Sequence, residues 1–259
     1  MRAPKEFSFL EILIDNVLGE PKEFLSLLDR LRQDYDFVFH GVGMNLGSVD
    51  PLDLDYLKKV RQLIERYRPL VVSEHLAWVG AHGRFHHDLL PLPYNEECLA
   101  HLSERILQVT DRLGFGLAIE NPSAYVELSD SKMTEAAFIN LLLKKTGAQL
   151  LLDVNNLYLS SQNFAYCPYE YLDSLEVKSI AYCHLAGHER FDSLLFDSHS
   201  GPAISEVLRL YEKVQKKMGQ TAAILEWDND LCDFARLREE SLKLLSYLAP
   251  CSRRVINES

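Results

Sequence analysis

Seven short apolar runs recur along the chain, each followed by a longer polar-rich stretch: "FSFLEILI" (7–14), "FVFHGV" (37–42), "LVVSEHL" (70–76), "GLAIEN" (116–121), "QLLLDVN" (149–155), "SIAYCHLA" (179–186) and "TAAILEW" (221–227). Within the runs apolar residues are contiguous instead of alternating with polar ones, the pattern of parallel strands covered on both faces. The stretches between them have helical period. In "LDYLKKVRQLIERY" (54–67), Leu57, Val60, Ile64 and Tyr67 fall on one side, with Lys and Arg around the rest. "NEECLAHLSERILQVTDRLG" (95–114) and "ISEVLRLYEKVQKKMG" (204–219) read the same way, and Gly114, Gly147 and Gly219 stand where helix C-caps are wanted. Strand and helix alternating from end to end predict an α/β protein with right-handed crossovers. No linker or low-complexity tract interrupts the alternation, so residues 1–259 are read as a single domain.

Polar residues at the strand ends decide between a barrel and an open sheet. Six runs finish on a residue able to bind a metal: His40, His75, Glu120, Asp153, His184 and Glu226, at steps of 35, 45, 33, 31 and 42 residues. A closed parallel barrel brings the C-terminal ends of its strands to one face, where active sites sit, whereas an open sheet spreads them along a line. The prediction is a TIM-like (β/α)8 barrel of xylose-isomerase-like type. Only seven strands are convincing, so its first strand is expected to be shortened or missing.

The stretch "CHLAGHERFDSLLFDSHSGP" (183–202) holds three of the nine histidines. Asp197 and His199, two apart in a segment read as extended, are expected to face the same side. Asn156 follows Asp153 by three residues, so both can face one centre from a first helical turn; Asp153 also reads as a plain helix cap. The set His40, His75, Glu120, Asp153, Asn156, His184, Asp197, His199 and Glu226 offers imidazoles and oxygen donors without a thiolate. Such donors suit iron, manganese or zinc and disfavour copper(I) or an iron–sulfur cluster. Nine exceed what one ion takes, which implies two or three ions. His82, His86 and His87 in "VGAHGRFHHDLLPLP" read as ordinary loop residues near Gly80 and Gly83, His101 as helix packing and Trp78 as wall packing. Glu74 should project from the opposite side of its strand to His75, and Cys183 should be buried and inert.

Composition narrows the function. Hydrophobic content of 47% with 25% charged residues is ordinary for a globular protein, and a formal charge of −11 argues against a nucleic-acid partner. No apolar run approaches the roughly 18 residues that span a bilayer, so no membrane role is expected. The N-terminal apolar run is broken by Glu11 and Asp15 and reads as the start of the fold. Five cysteines (Cys98, Cys167, Cys183, Cys232 and Cys251) without CxxC spacing fit reduced thiols in a cytoplasmic protein.

The motifs "HGVGMNLGS" (40–48), "SEHLAW" (73–78), "DLLPLPYNEE" (88–97), "ENPSAY" (120–125), "LLLDVNNLYLS" (150–160), "HLAGH" (184–188), "DSHSGP" (197–202) and "LEWD" (225–228) together resemble the DUF692 or UPF0276 family, the multinuclear non-haem iron-dependent oxidative enzymes of methanobactin-biosynthesis type. The resemblance runs in order from residue 8 to about 245. It implies a barrel with two or three irons at its mouth that uses O2 to modify cysteines of a ribosomally made precursor peptide. A separate protein that recognises the leader peptide often assists. The family's metal positions fall on the nine residues above; His188, Asn121, Asn155 and Asp228 are read as further candidates, to support those ligands or to touch substrate. The position of Asn156 is His in some members, and a neutral amide binds more weakly. Related chains also begin with a further strand of GxGLR type.

Two other readings fit the residues alone. One is a zinc or manganese metallohydrolase or isomerase acting on a small molecule, a common use of such donors in this fold group. The other is a non-catalytic metal-binding protein that assists a partner enzyme. Fold by itself does not choose among them.

Overall fold

The computed structural model describes residues 7–19, 22–176, 180–244 and 247. All seven apolar runs are strands. In chain order they are β1 (Phe9–Leu13), β2 (Asp36–Gly41), β3 (Val72–His75), β6 (Leu117–Glu120), β7 (Gln149–Asp153), β8 (Ile180–Ala186) and β11 (Ala223–Glu226). Two short hairpins are added after β3 and β8: β4 (Trp78–Ala81) with β5 (Arg84–Leu90), and β9 (Glu189–Phe191) with β10 (Leu194–Phe196). The helices are α1 (Ile14–Val17), α2 (Lys22–Leu31), α3 (Leu54–Tyr67), α4 (Glu96–Leu113), α5 (Glu135–Thr146), α6 (Val154–Asn163), α7 (Pro168–Ser174), α8 (Ser205–Met218) and α9 (Phe234–Leu244). None of the described helices is long and apolar enough to cross a membrane.

The chain divides into two compact units. The first holds the described residues up to Leu152 together with Ile180 and Ala181, and the second holds the remainder. In the first unit the strands lie in the order β1-β2-β3-β6-β7, followed by the start of β8. In the second, the rest of β8 pairs with β11. Every pairing that has a defined register in this seven-stranded sheet is parallel.

Local chemistry sets the helix ends. Asp53 accepts from the Tyr56 N–H at the start of α3, Asn95 from Cys98 at the start of α4, and Thr134 from Ala137 at the start of α5. Gly114 and Gly147 end α4 and α5 at φ 64° and 72°, the left-handed caps expected of them. Gly219 also ends its helix at positive φ, but at φ 82° and ψ −163°, a region open to glycine alone. The predicted face of α3, Leu57, Val60, Ile64 and Tyr67, is buried, and Phe37 and Phe39 of β2 pack on Tyr67 at ring separations of 5.8 and 6.2 Å.

Candidate metal centre

In the first unit, strand register brings three predicted ligands together. His75 is the register partner of Glu120, and His40 is the partner of Ser73. Neighbours in parallel register point the same way, and so do residues two apart on one strand. His40, Ser73, His75 and Glu120 therefore share one face. His40 Nε2 lies 3.1 Å from Glu120 Oε2, His75 Nε2 lies 3.2 Å from the same oxygen, and the two ring nitrogens are 3.3 Å apart.

Hydrogen bonds behind the rings fix both tautomers. The Ser73 hydroxyl donates to the Phe39 carbonyl, so it accepts from His40 Nδ1–H at 2.8 Å. His75 Nδ1–H donates to the Gly41 carbonyl, 3.0 Å away, which can only accept. Both Nε2 atoms thus face the carboxylate as the ring nitrogens able to bind an ion, and three electron-rich atoms converge where only a proton or a cation relieves their repulsion. Around an ion with bonds of about 2.1 Å, ligand atoms stand about 3.0 Å apart at right angles and about 3.4 Å apart in a tetrahedron. The observed separations fall in that interval, so the donor set fits a divalent metal. Without one the proton does the work: burial opposes charge on His75, but Glu120 and Glu74 outweigh it and raise its pKa to about 9.

The second unit gathers its ligands differently. Glu226 pairs in register with Ala186, so it shares a face with His184, and its Oε2 lies 3.0 Å from His184 Nδ1. Asp153 caps α6 by accepting from the Asn156 N–H at 2.6 Å, as the cap reading holds, and it also serves the cluster. Asp153, His199 and Glu226 each bring one ligand atom within 4.8 Å of the others. His199 Nε2 lies 2.8 Å from Asp197 Oδ1, while its Nδ1 lies 3.1 Å from Asp228 Oδ2 and 3.5 Å from Glu226 Oε1. Asn156 is buried in the first turn of α6. Burial works against charge on both His199 and Glu226, yet Asp197, Asp228 and Glu226 hold His199 well above its ordinary pKa. In turn His184 and His199 hold the Glu226 carboxyl well below the usual carboxylate range.

One expectation is corrected here. The segment carrying Asp197 and His199 is not extended, because His199 adopts φ 46°. That left-handed turn aims its carbonyl at the N–H groups of Asp228 and Asn229, at 3.0 and 3.4 Å. Asp197 and His199 meet through the turn and not through strand alternation. The "VGAHGRFHHDLL" stretch is likewise not a plain loop but the β4–β5 hairpin, closed by His82 and Gly83 at φ 55° and 69°. Two positive φ values at a two-residue turn are what tight hairpins require, and His-Gly was the available signal. His82 is exposed at its tip, His86 packs edge-on to Trp78 at 5.7 Å, and the His87 side chain lies outside the described set.

Several residues around the ligand positions make contacts that the sequence did not indicate. Glu74 is buried: its Oε2 accepts from the Met44 N–H, and its Oε1 lies 3.6 Å from His75 Nδ1, so it approaches a predicted ligand despite belonging to the other face. His101 does more than pack, since its Nε2 bonds the Ser48 carbonyl while Arg105 donates to those of Asn45 and Asp50. Together they pin the loop that leaves β2. Gly43 in that loop has no room for a side chain, because a Cβ would collide with Asp15 and the Tyr56 ring. Trp78 Nε1 donates to the Pro91 carbonyl. Asn121 is fully buried just beyond Glu120, and Asn155 and His188 belong to the second unit. Cys98, Cys167, Cys183 and Cys232 are free thiols, and Cys251 lies outside the described residues.

Solved structures define the class. The chain is similar to a D-tagatose 3-epimerase-like protein (TM-score 0.61, 18% identity, 93% of this chain and 89% of the other) and to a D-psicose 3-epimerase (TM-score 0.59, 13% identity, 93% and 88%). A xylose isomerase homologue of Rhodospirillum rubrum matches at TM-score 0.59 and 13% identity, over 94% and 90%. The likeness shows the fold: an α/β, TIM-like barrel of the xylose-isomerase-like group. By sequence the chain belongs to the family of RiPP precursor modification enzymes MbnB/TglH/ChrH, which it matches over residues 1–249. A UPF0276 protein of Acaryochloris marina is 41% identical over 249 residues, covering 96% of this chain and 89% of the relative. One of Caulobacter vibrioides is 40% identical over 223 residues, covering 86% and 80%. The family resemblance read from the motifs is therefore correct, and the family is one of enzymes acting on ribosomally made precursor peptides.

Proposed function

We propose that this enzyme is a multinuclear non-haem iron-dependent oxidase that uses O2 to modify cysteine residues of a ribosomally made precursor peptide. The observation that carries the metal half of this reading is the His40, His75 and Glu120 triad, with ligand atoms 3.1 to 3.3 Å apart and both tautomers set for ligation. Family membership supplies the peptide half.

His40, His75 and Glu120 hold metal in the first unit, while Asp153, His184, Asp197, His199 and Glu226, with Asn156, hold it in the second, two or three irons per chain. Bound iron supplies redox chemistry, O2 activation and a soft partner for a substrate thiolate. The chain's own residues do the rest. The Ser73 hydroxyl and the Gly41 carbonyl hold Nδ1–H of the two first-unit imidazoles and so aim their Nε2 atoms at Glu120, and the Asp228 carboxylate orients the His199 ring in the same way. His101 and Arg105 pin the loop beyond His40. A leader-recognition partner protein and a cytoplasmic location complete the reading.

The test is elemental analysis with Mössbauer spectroscopy on protein purified anaerobically from iron-supplied cells, followed by O2 uptake with cysteine-containing peptides. Two or three irons and peptide-dependent O2 consumption are expected. Turnover of a small molecule with zinc or manganese in the absence of O2 would sink the proposal in favour of the isomerase or hydrolase reading. Metal binding without turnover of the correct peptide would leave a scaffold.

A further inference from the structure

Three side chains of the second unit form a directed chain that ends on a proposed ligand. Asn155 Nδ2 lies 3.0 Å from Asp197 Oδ1, and Asn155 Oδ1 lies 2.7 Å from His188 Nδ1. The direction of each bond follows from what the atoms can do. A carboxylate accepts, so the amide nitrogen of Asn155 faces Asp197. The amide oxygen then faces His188 and can only accept, so His188 Nδ1 carries the hydrogen. Asn155 is fully buried, so the amide is held on both sides away from water. Burial also lowers the pKa of His188, which favours the neutral ring. Tyr158 flanks that ring at a centroid separation of 5.4 Å. His188 stands just beyond β8 and Asn155 in the first turn of α6, so the bond also ties the two elements that carry His184 and Asp153.

We propose that His188 is a positioning residue that acts through Asn155 to orient the Asp197 carboxylate for metal binding. The proposal rests on Asp197 being a ligand, as in the functional reading above, but not on iron, O2 or the peptide. A donor to Oδ1 fixes the plane of the carboxylate. The Asn155 amide would flip or rotate if His188 did not hold its oxygen. Outer partners of this kind are worth about 10- to 100-fold in metal affinity.

Three substitutions of His188 separate this role from packing. The amide nitrogen of Asn falls where Nδ1 stands, whereas that of Gln falls near Nε2, and Phe keeps the ring against Tyr158 without a donor. Anaerobic cobalt(II) titration of the full chain, followed by visible absorption, reads binding. A His75→Ala background removes the first-unit signal. His188→Asn is expected to bind about as tightly as the wild-type residue, with His188→Gln and His188→Phe weaker by about 10- to 100-fold. First-unit binding, read without the His75 substitution, is expected to be the same in all of them. If His188→Phe binds as tightly as the parent, or His188→Asn as weakly as His188→Phe, the positioning role is wrong and the ring only packs. A parent protein that takes up no cobalt in the second unit overturns the ligand assignment itself, a result distinct from equal affinities across the series.

Discussion

The two candidate ligand clusters are built on different supports. His40, His75 and Glu120 stand on three neighbouring strands in register, and what aims the two imidazoles is a carbonyl of the sheet and a buried serine hydroxyl. In the second unit, Asp197 and His199 follow a three-residue strand on irregular backbone, and side chains aim them: Asp228, whose side chain is 51% exposed, and the buried Asn155. Backbone support is rigid because moving it means breaking the sheet. Side-chain support holds only while each partner keeps its rotamer and its charge. The first cluster should therefore bind metal with little rearrangement, and the second should depend more on salt and on its neighbours.

The sharpest break of this contrast is His75→Ala. With one of three strand-borne ligands gone, metal affinity in the first unit should fall more than ~100-fold, beyond the loss of an outer partner. Second-unit occupancy should persist, as elemental analysis of the variant checks. Loss of both together would mean that the clusters load as one and that the contrast is false.

Proton competition comes next. In the metal-free protein His75 has a pKa raised to about 9, so a metal must displace its proton at neutral pH. Affinity of the first unit should rise about tenfold per unit from pH 7 to 9 and level off above, as protonated His75 disappears. Calorimetry in buffers of differing ionisation enthalpy should record about one proton released per metal at pH 7.5. The same shift acts on the metal-free fold in the opposite sense. Its stabilisation is full below the ordinary histidine pKa and is lost as pH rises through 9.

Ser73→Ala tests the support and leaves the ligands in place. Without the hydroxyl, His40 can present the wrong tautomer, and first-unit affinity should drop by about 10- to 100-fold with little change in thermal stability. Asp228→Asn is the matching change in the second unit. Its exposed carboxylate is screened by water and its amide oxygen still accepts from His199 Nδ1–H, so the loss should be under about tenfold and shrink with added salt. Equal losses for the two variants would erase the difference between the supports.

Much of the first cluster was legible because strand ends are simple places. An apolar run that stops on His or Glu fixes both the position and the facing of that residue, and register carries it to its neighbours. Ser73 was beyond reach, since its bond to His40 depends on which strand lies alongside. In the second unit Asp197 and His199 were identified, but the extended backbone assumed for them was wrong. A left-handed residue other than glycine leaves no mark in sequence, and His199 is held there by contacts from residues 29 and 30 positions away. The hairpins were missed for a related reason: β4, β9 and β10 have only three or four residues each, too few to show alternation.

Cys183 sits beside His184 in β8, and strand alternation that turns the histidine toward the cluster turns the thiol into the core, where burial pushes its pKa up to about 12. Cys98 is treated alike, at about 11. Such thiols stay protonated at neutral pH, so neither alkylating reagents nor oxidants find a sulfur nucleophile there. Among the described cysteines, labelling of the native chain at neutral pH should bypass both and favour the exposed Cys167. An enzyme proposed to act on cysteines of its substrate would thus keep two of its own chemically silent.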